Sequence, residues 1–207
     1  MAVDSSGNVY VTDENNHRIR KITTNGVVST LAGTNAEGFK DGTASTAQFY
    51  YPYGVAVDSS GNVYVADSNN HRIRKITPEG VVTTFAGSTE GFADGTGNTA
   101  QFYYPAGVAV DSSGNVYVTD NGNHRIRKIT SAGVVTTFAG TGTKDFADGA
   151  ANTAKFRYPS DVAVDSSGNV YVADERDDRI RKIEYKVPWA EARWRLILSV
   201  VPFRTAP

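Results

Sequence analysis

Ten residues, Ala-Val-Asp-Ser-Ser-Gly-Asn-Val-Tyr-Val, occur four times without a change, at Ala2–Val11, Ala56–Val65, Ala109–Val118 and Ala163–Val172. Their aspartates, Asp4, Asp58, Asp111 and Asp165, stand 54, 53 and 54 residues apart. A unit that recurs at a period of this size cannot bury its apolar faces alone and has to stack on its neighbours. The period therefore selects an array, a propeller or a solenoid ahead of any local motif. Two further blocks keep the same period. One is HRIRKIT at His17–Thr23, His71–Thr77 and His124–Thr130, with a fourth copy, Asp178–Ile183, that has lost its histidine. The other is GVVSTLAG at Gly26–Gly33, followed by GVVTTFAG at Gly80–Gly87 and Gly133–Gly140. A longer connection closes each unit and runs GFKDGTASTAQFYYP, GFADGTGNTAQFYYP and DFADGAANTAKFRYP.

One unit reads as four strands. Gly54–Val57 is short and apolar, and Asp58–Asn62 has turn chemistry, since Asp accepts local backbone bonds while Gly and Asn tolerate positive φ. Val63–Ala66 returns, Asp67–Asn70 is a polar loop, Arg72–Thr77 is a third strand, and Thr77–Gly80 turns into a fourth at Val81–Ala86. Consecutive strands joined by such turns form an antiparallel meander. Val63 and Val65 fall on one face and Tyr64 on the other, so both faces are apolar and both need covering, as in stacked propeller blades. The composition agrees, because 22 aromatic residues sit among Val, Thr and Gly, a mixture that favours strands.

The run Gly54–Ile73 (GVAVDSSGNVYVADSNNHRI), matched by Gly107–Ile126, resembles the NHL repeat, with Arg-Ile where the name has Leu. The resemblance covers roughly residues 2–183. It implies an all-β fold, an NHL-type β-propeller of about 3.5–4 four-stranded antiparallel blades, at approximately 2–33, 54–87, 107–140 and 161–183. That count falls short of the closed ring usual for such propellers, so an incomplete ring, a fragment of a larger protein, is expected, with self-association through open blade faces as one way to cover them. Residues 184–207 leave the pattern: both Trp lie there, a replacement strand at Trp194–Val201 or a short amphipathic helix would fit, and an artificial end would explain the change equally.

In a meander the second-to-third and the fourth-to-next-first connections share one end. The tight turns at the other end are alike in every copy and read as structural. Variation gathers at the first end, in the short loops ENNH, SNNH, NGNH and ERDD and in the long connections. The candidate binding residues on this loop face are Asn16, His17, Asn70, His71, Asn123, His124 and Asp178, with Asp41, Asp94 and Asp148 from the Asp-Gly turns of the long connections.

None of these sets is expected to be catalytic. Each histidine follows an aspartate (Asp13, Asp67, Asp120) by four residues, but the pair repeats around the ring without a nucleophile, so it reads as a structural tie. The carboxylates lack the dense alternation of a calcium loop, and no metal or cofactor is expected. There is no cysteine, which removes disulfides and thiolate chemistry. Arg18, Arg20 and Lys21 and their equivalents read as a solvated blade edge with local ion pairs. The aromatic runs at Phe49–Tyr53, Phe102–Pro105 and Phe156–Pro159 read as filling between blades. The net charge of −1 argues against a broad nucleic-acid surface.

The function expected is therefore a binding or scaffold module for a protein, peptide or glycan. The resemblance carries two alternatives, a metal-dependent hydrolase or lyase of the gluconolactonase or peptide-amidating type and an RNA-binding propeller. It also implies an extracytoplasmic setting, as in the sensor domains bacteria build from NHL propellers. The opening Met-Ala-Val-Asp has no signal-peptide pattern, and the longest apolar run, Leu196–Val201, is too short to cross a bilayer.

Overall fold

The computed structural model describes residues 1–184. Four antiparallel sheets follow one another in chain order. Blade one holds Ala2–Val3, Val9–Asp13, Arg18–Ile22 and Val28–Ala32. Blade two holds Pro52–Val57, Val63–Asp67, Arg72–Ile76 and Val81–Gly87. Blade three repeats this order with Pro105–Val110, Val116–Asp120, Arg125–Ile129 and Val134–Ala139. Blade four has three strands among the described residues, Pro159–Val164, Val170–Asp174 and Arg179–Ile183. The tail assigned to 184–207 lies outside the described residues except for Glu184.

The invariant block is a hairpin locked by its aspartate. In blade two, Asp58 Oδ1 accepts the Ser60 and Asn62 N–H groups, while Oδ2 accepts Asn62 Nδ2 and the Tyr64 hydroxyl. Asp4, Asp111 and Asp165 accept from the matching backbone and side-chain groups. Asn8 donating to Asp4 is the main reason that carboxyl is held down at about 2. Burial, reinforced by Asp58, pushes the Tyr64 phenol up to about 12. The tyrosine is thus both a core residue and the fourth donor to the turn.

Each blade has two unlike faces. Val55, Val63, Val65, Ile76 and Val82 of blade two pack back onto Tyr10, Ile19, Ala32 and Phe49. Ala56, Tyr64, Ala66, Ile73 and Ala86 pack forward onto Phe102, Val108, Val116 and Val135. The first strands of successive blades adjoin one another and so lie innermost. They come so close that a Cβ on Gly54 would collide with the Ala106 carbonyl oxygen, and one on Gly107 would lie 2.6 Å from the Asp161 Cα. Only glycine fits there.

Three sequence expectations need correction. The long connections do not stay at the loop face. Gly42–Thr43 pairs with Val81–Val82, and Gly95–Thr96 with Val134–Val135, so the first two connections run down the outer edge of blades two and three as a fifth strand. The Ala44 N–H reaches the Gly80 carbonyl at the far end of that edge. Second, the second arginine of Arg-x-Arg-Lys in blades two to four is not a solvated edge residue: Arg74 and Arg127 are fully buried and Arg181 nearly so. Third, the aromatic run splits. Phe49, Phe102 and Phe156 fill the space between blades, whereas Tyr53, Tyr103 and Tyr104 face solvent, because the chain turns between the phenylalanine and the next strand.

Candidate functional site

The second-to-third loops are single 3-10 turns, Glu14–Asn16, Ser68–Asn70, Asn121–Asn123 and Glu175–Asp177. Each ends on a residue in the left-handed region, His17, His71, His124 or Asp178. The long connections return beside them: the Asn69, Gly122 and Arg176 N–H groups donate to the Tyr50, Tyr103 and Arg157 carbonyls. Both sets of loops therefore form one end of the array, and each pair of neighbouring blades makes one junction there.

A junction is built on a histidine and a tyrosine. His71 Nδ1 accepts the Tyr104 N–H at 3.2 Å, and His17 and His124 accept from Tyr51 and Tyr158 at 3.3 Å. Those tyrosines are themselves left-handed, with φ of 49°, 48° and 56° for Tyr51, Tyr104 and Tyr158. A bulky side chain there costs roughly 1–2 kcal/mol. The rings of His71 and Tyr104 stand edge to face at 4.8 Å, and Tyr103 lies a further 4.8 Å from Tyr104. An acceptor at Nδ1 requires a neutral imidazole with its proton on Nε2. Burial holds His71 and His124 below the usual histidine value, in keeping with that state. In the first two junctions Nε2 faces a carboxylate, Glu37 at 3.9 Å and Glu90 at 3.8 Å.

The aspartates that precede the histidines are structural ties, as expected, but to the incoming connection and an arginine rather than to the histidine. Asp67 accepts the Tyr50 N–H, Asn70 Nδ2 and Arg74 Nη1, and Asp120 and Asp174 take the equivalent backbone and arginine partners. Asn70 and Asn123 also donate to the Gly38 and Gly91 carbonyls, which pins the incoming connection. Asn16 donates to Asp13. Asp41, Asp94 and Asp148 are not brought to the histidines. They sit on the outer edge, where each receives the second nitrogen of a buried arginine at 2.6–2.7 Å. Asp178 is exposed in blade four. Among the described residues, no three His, Asp or Glu side chains are grouped so as to hold a metal ion.

The third junction departs from the other two. Lys144 stands where Glu37 and Glu90 stand, Arg157 where Tyr50 and Tyr103 stand, and Arg176 where Asn69 and Gly122 stand. With Asn121, Tyr158 and Glu175 they line a cavity of about 380 Å³. Lys144 Nζ lies 3.0 Å from the Tyr158 hydroxyl, which holds that phenol below its ordinary value. Arg157 and Tyr158 belong to the aromatic run and Glu175 and Arg176 to the ERDD loop, whereas Lys144 belongs to no motif and is marked only by standing at the position of Glu37 and Glu90.

Comparison with known proteins agrees with the architecture. The family model described as NHL repeat matches residues 1–22, 49–76, 102–129 and 156–183, just over half of the chain. The chain is 30% identical over 190 residues to Protein SUPPRESSOR OF QUENCHING 1, chloroplastic, of Arabidopsis thaliana, covering 85% of this chain and 18% of that protein. A solved structural genomics protein of unknown function from Bacteroides thetaiotaomicron superposes with a TM-score of 0.72 at 28% identity, over 87% of this chain and 45% of that one. Two more distant structures share the fold alone. They are an auxiliary nutrient binding protein from the same organism (TM-score 0.69, 23% identity, 87% and 46% covered) and a virginiamycin B lyase from Staphylococcus aureus (0.54, 18%, 90% and 55%). The chain thus spans well under two thirds of the proteins it matches.

Proposed function

The chain belongs to the NHL repeat family, and from that premise we propose that its described blades act as a binding module, whose loop face takes a protein, peptide or glycan ligand. The observation that carries this reading is the row of tyrosines Tyr51, Tyr104 and Tyr158, in a left-handed backbone whose N–H groups donate to His17, His71 and His124. Backbone strain repeated at one face, with Tyr103 and Tyr104 open to solvent, marks a surface kept for contact rather than for packing. Tyrosine supplies broad contact area and a polar tip with little conformational entropy to lose.

Of the residues singled out in the sequence, His17, His71 and His124 support this face from beneath, while Asn16, Asn70 and Asn123 anchor the loops to their blades. Asp41, Asp94 and Asp148 hold the outer edge and leave the face to other side chains. The metal-dependent hydrolase or lyase alternative has no ligand set to build on among the described residues. The RNA alternative rests on Arg18, Arg72, Arg125 and Arg179; of these, Arg72 and Arg125 lie over the Phe39 and Phe92 rings and donate to the Asn70 and Asn123 carbonyls, which engages them within the blades.

The test is a glycan and peptide array probed with the whole chain and with Tyr103→Ala/Tyr104→Ala. Ligands lost by that variant, and retained by Ser60→Arg at the opposite end, support the reading. Ligands lost only by Ser60→Arg, or no ligand at all, reject it.

A further inference from the structure

The three junctions are built from the same positions, so they can be compared as if each were a variant of the next. The set is the first residue of one 3-10 turn, the residue facing the histidine, the two aromatic-run positions, and the first two residues of the next 3-10 turn. In the first junction these are Glu14, Glu37, Tyr50, Tyr51, Ser68 and Asn69, with two carboxylates and no cation. In the second they are Ser68, Glu90, Tyr103, Tyr104, Asn121 and Gly122, with one carboxylate and no cation. In the third they are Asn121, Lys144, Arg157, Tyr158, Glu175 and Arg176, with three cations and one carboxylate. Asp177 stands behind Arg157 at 3.9 Å, and Asp145, next to Lys144, is paired with Lys155 at 3.0 Å; with these counted the junction holds four cations and three carboxylates and is still net positive.

The backbone under Arg157, Tyr158 and Arg176 is kept, although the bridges that Glu37 and Glu90 make to Phe49 and Phe102 have no counterpart at Lys144 among the described residues. The Arg176 N–H still donates to the Arg157 carbonyl as Asn69 and Gly122 donate to theirs, the Tyr158 N–H still donates to His124, and the Arg157 N–H still donates to Asp174. Since two neighbouring copies build this backbone with Glu and Tyr in place of Lys144 and Arg157, folding does not require the cations. Three like charges also repel one another, and repulsion of this kind is a cost that a ligand of opposite sign would remove.

Resting on the binding-module reading above, we propose that the third junction is an anion subsite: Lys144, Arg157 and Arg176 receive the carboxylate, sulfate or phosphate of a small organic acid, and the Tyr158 ring lies beside its body. The cavity matches a ligand of about monosaccharide size, at the small end of the usual range for ligand pockets. Arg157 and Arg176 can offer paired N–H groups to one anion, and Lys144 a point charge held 4.5 Å from the Tyr158 ring centre. An acidic sugar, with an anion at one end and a C–H face at the other, has the matching chemistry.

The experiment titrates the whole chain with glucuronate, and with glucose as the neutral control, by calorimetry and by amide chemical shifts. Expected are saturable glucuronate binding, shifts centred on Tyr158 and Arg176, glucose at least tenfold weaker, and marked weakening as salt is raised from about 0.05 to 0.5 M. Lys144→Glu/Arg157→Tyr, which rewrites the junction as its neighbours are written, should fold with an unchanged circular dichroism spectrum and bind glucuronate at least tenfold more weakly. Competition by inorganic sulfate or phosphate would show that the charge alone is read, which supports the subsite for those anions too. The proposal is overturned if glucuronate fails to bind, or if the double variant binds as well as the parent. Should that happen while array ligands still depend on Tyr103 and Tyr104, the binding module stands without this subsite. If the arrays are empty as well, both readings fall.

Discussion

Arg74 and Asp67 form an ion pair at 2.8 Å in which neither side chain reaches solvent. The guanidinium lies against the Phe39 and Phe49 rings and also donates to Asp41 and to the Lys40 and Gln48 carbonyls. It therefore ties the strand of one blade to the connection arriving from the blade before. In blade one the same two residues, Arg20 and Asp13, meet at 3.3 Å with both side chains partly exposed.

That contrast gives the first prediction. Asp67→Ala leaves a buried, uncompensated cation and should cost about 3–5 kcal/mol. Asp13→Ala removes a pair that water already screens and should cost about 0–1 kcal/mol. Urea melts of the two variants measure the difference, and equal costs would show that the blade-one pair is as dry as the blade-two pair.

A second prediction concerns pH. His71 and His124 are held below their ordinary value by burial, and Nδ1 of each accepts a tyrosine N–H that a protonated ring could not accept. The unfolded chain takes up protons near pH 6.5, so it binds more of them than the folded chain just below that pH. The histidines' contribution to stability is complete above about pH 6.5 and falls as the pH drops from there toward their folded values. Amide exchange at Tyr104 and Tyr158 should accelerate over the same window, relative to amides in the strands. An unchanged ratio would mean that the two bonds survive protonation.

How much of this was legible in the sequence follows from what a repeat reveals. The turn aspartates, the strand order and the stacking could be read because Asp58, Val63 and Tyr64 interact within one unit. The burial of Arg74 could not, since its partners Lys40, Asp41 and Gln48 come from the preceding unit, and a period shows which residues are equivalent but not which residues of neighbouring units touch. For the same reason the long connections read as surface loops, although Gly42–Thr43 had a strand partner waiting at Val81–Val82. At the loop face the histidines read as structural ties to their aspartates, whereas their neutral Nδ1 serves the tyrosines of the next connection. The charge inversion at Lys144 and Arg157 was present in the sequence, but it becomes visible only once the fold shows which positions share a junction.

A third prediction isolates the strain at Tyr104. Replacing it with Ala or with Gly removes the same ring contacts with His71 and Tyr103, but only Gly is at ease at a φ of 48°. Tyr104→Gly should therefore be more stable than Tyr104→Ala by about 1 kcal/mol. Thermal melts compare them directly. An Ala variant as stable as the Gly variant would show that the loop has relaxed out of the left-handed conformation, and the strain argument would go with it.

The last prediction uses one residue in two settings. Ile126 and Ile180 occupy the same place in their strands, opposite Thr119 and Ala173. Ile126 is 0% exposed because blade four packs over it, whereas Ile180 is 75% exposed on the forward face of blade four. Ile126→Ala should cost about 2–5 kcal/mol through lost burial and the cavity left behind. Ile180→Ala should fall within roughly 0.5 kcal/mol of the parent, as an open surface position does. A large loss at Ile180 would mean that something covers this face in solution, and the concentration dependence of the loss would say what. A second copy seated there makes the melting temperature rise with protein concentration, while a segment of the same chain leaves it constant. Either outcome also predicts a charge at this position, Ile180→Lys, to be more damaging than alanine, because a cation cannot be buried against Tyr171 and Ala173 without a partner.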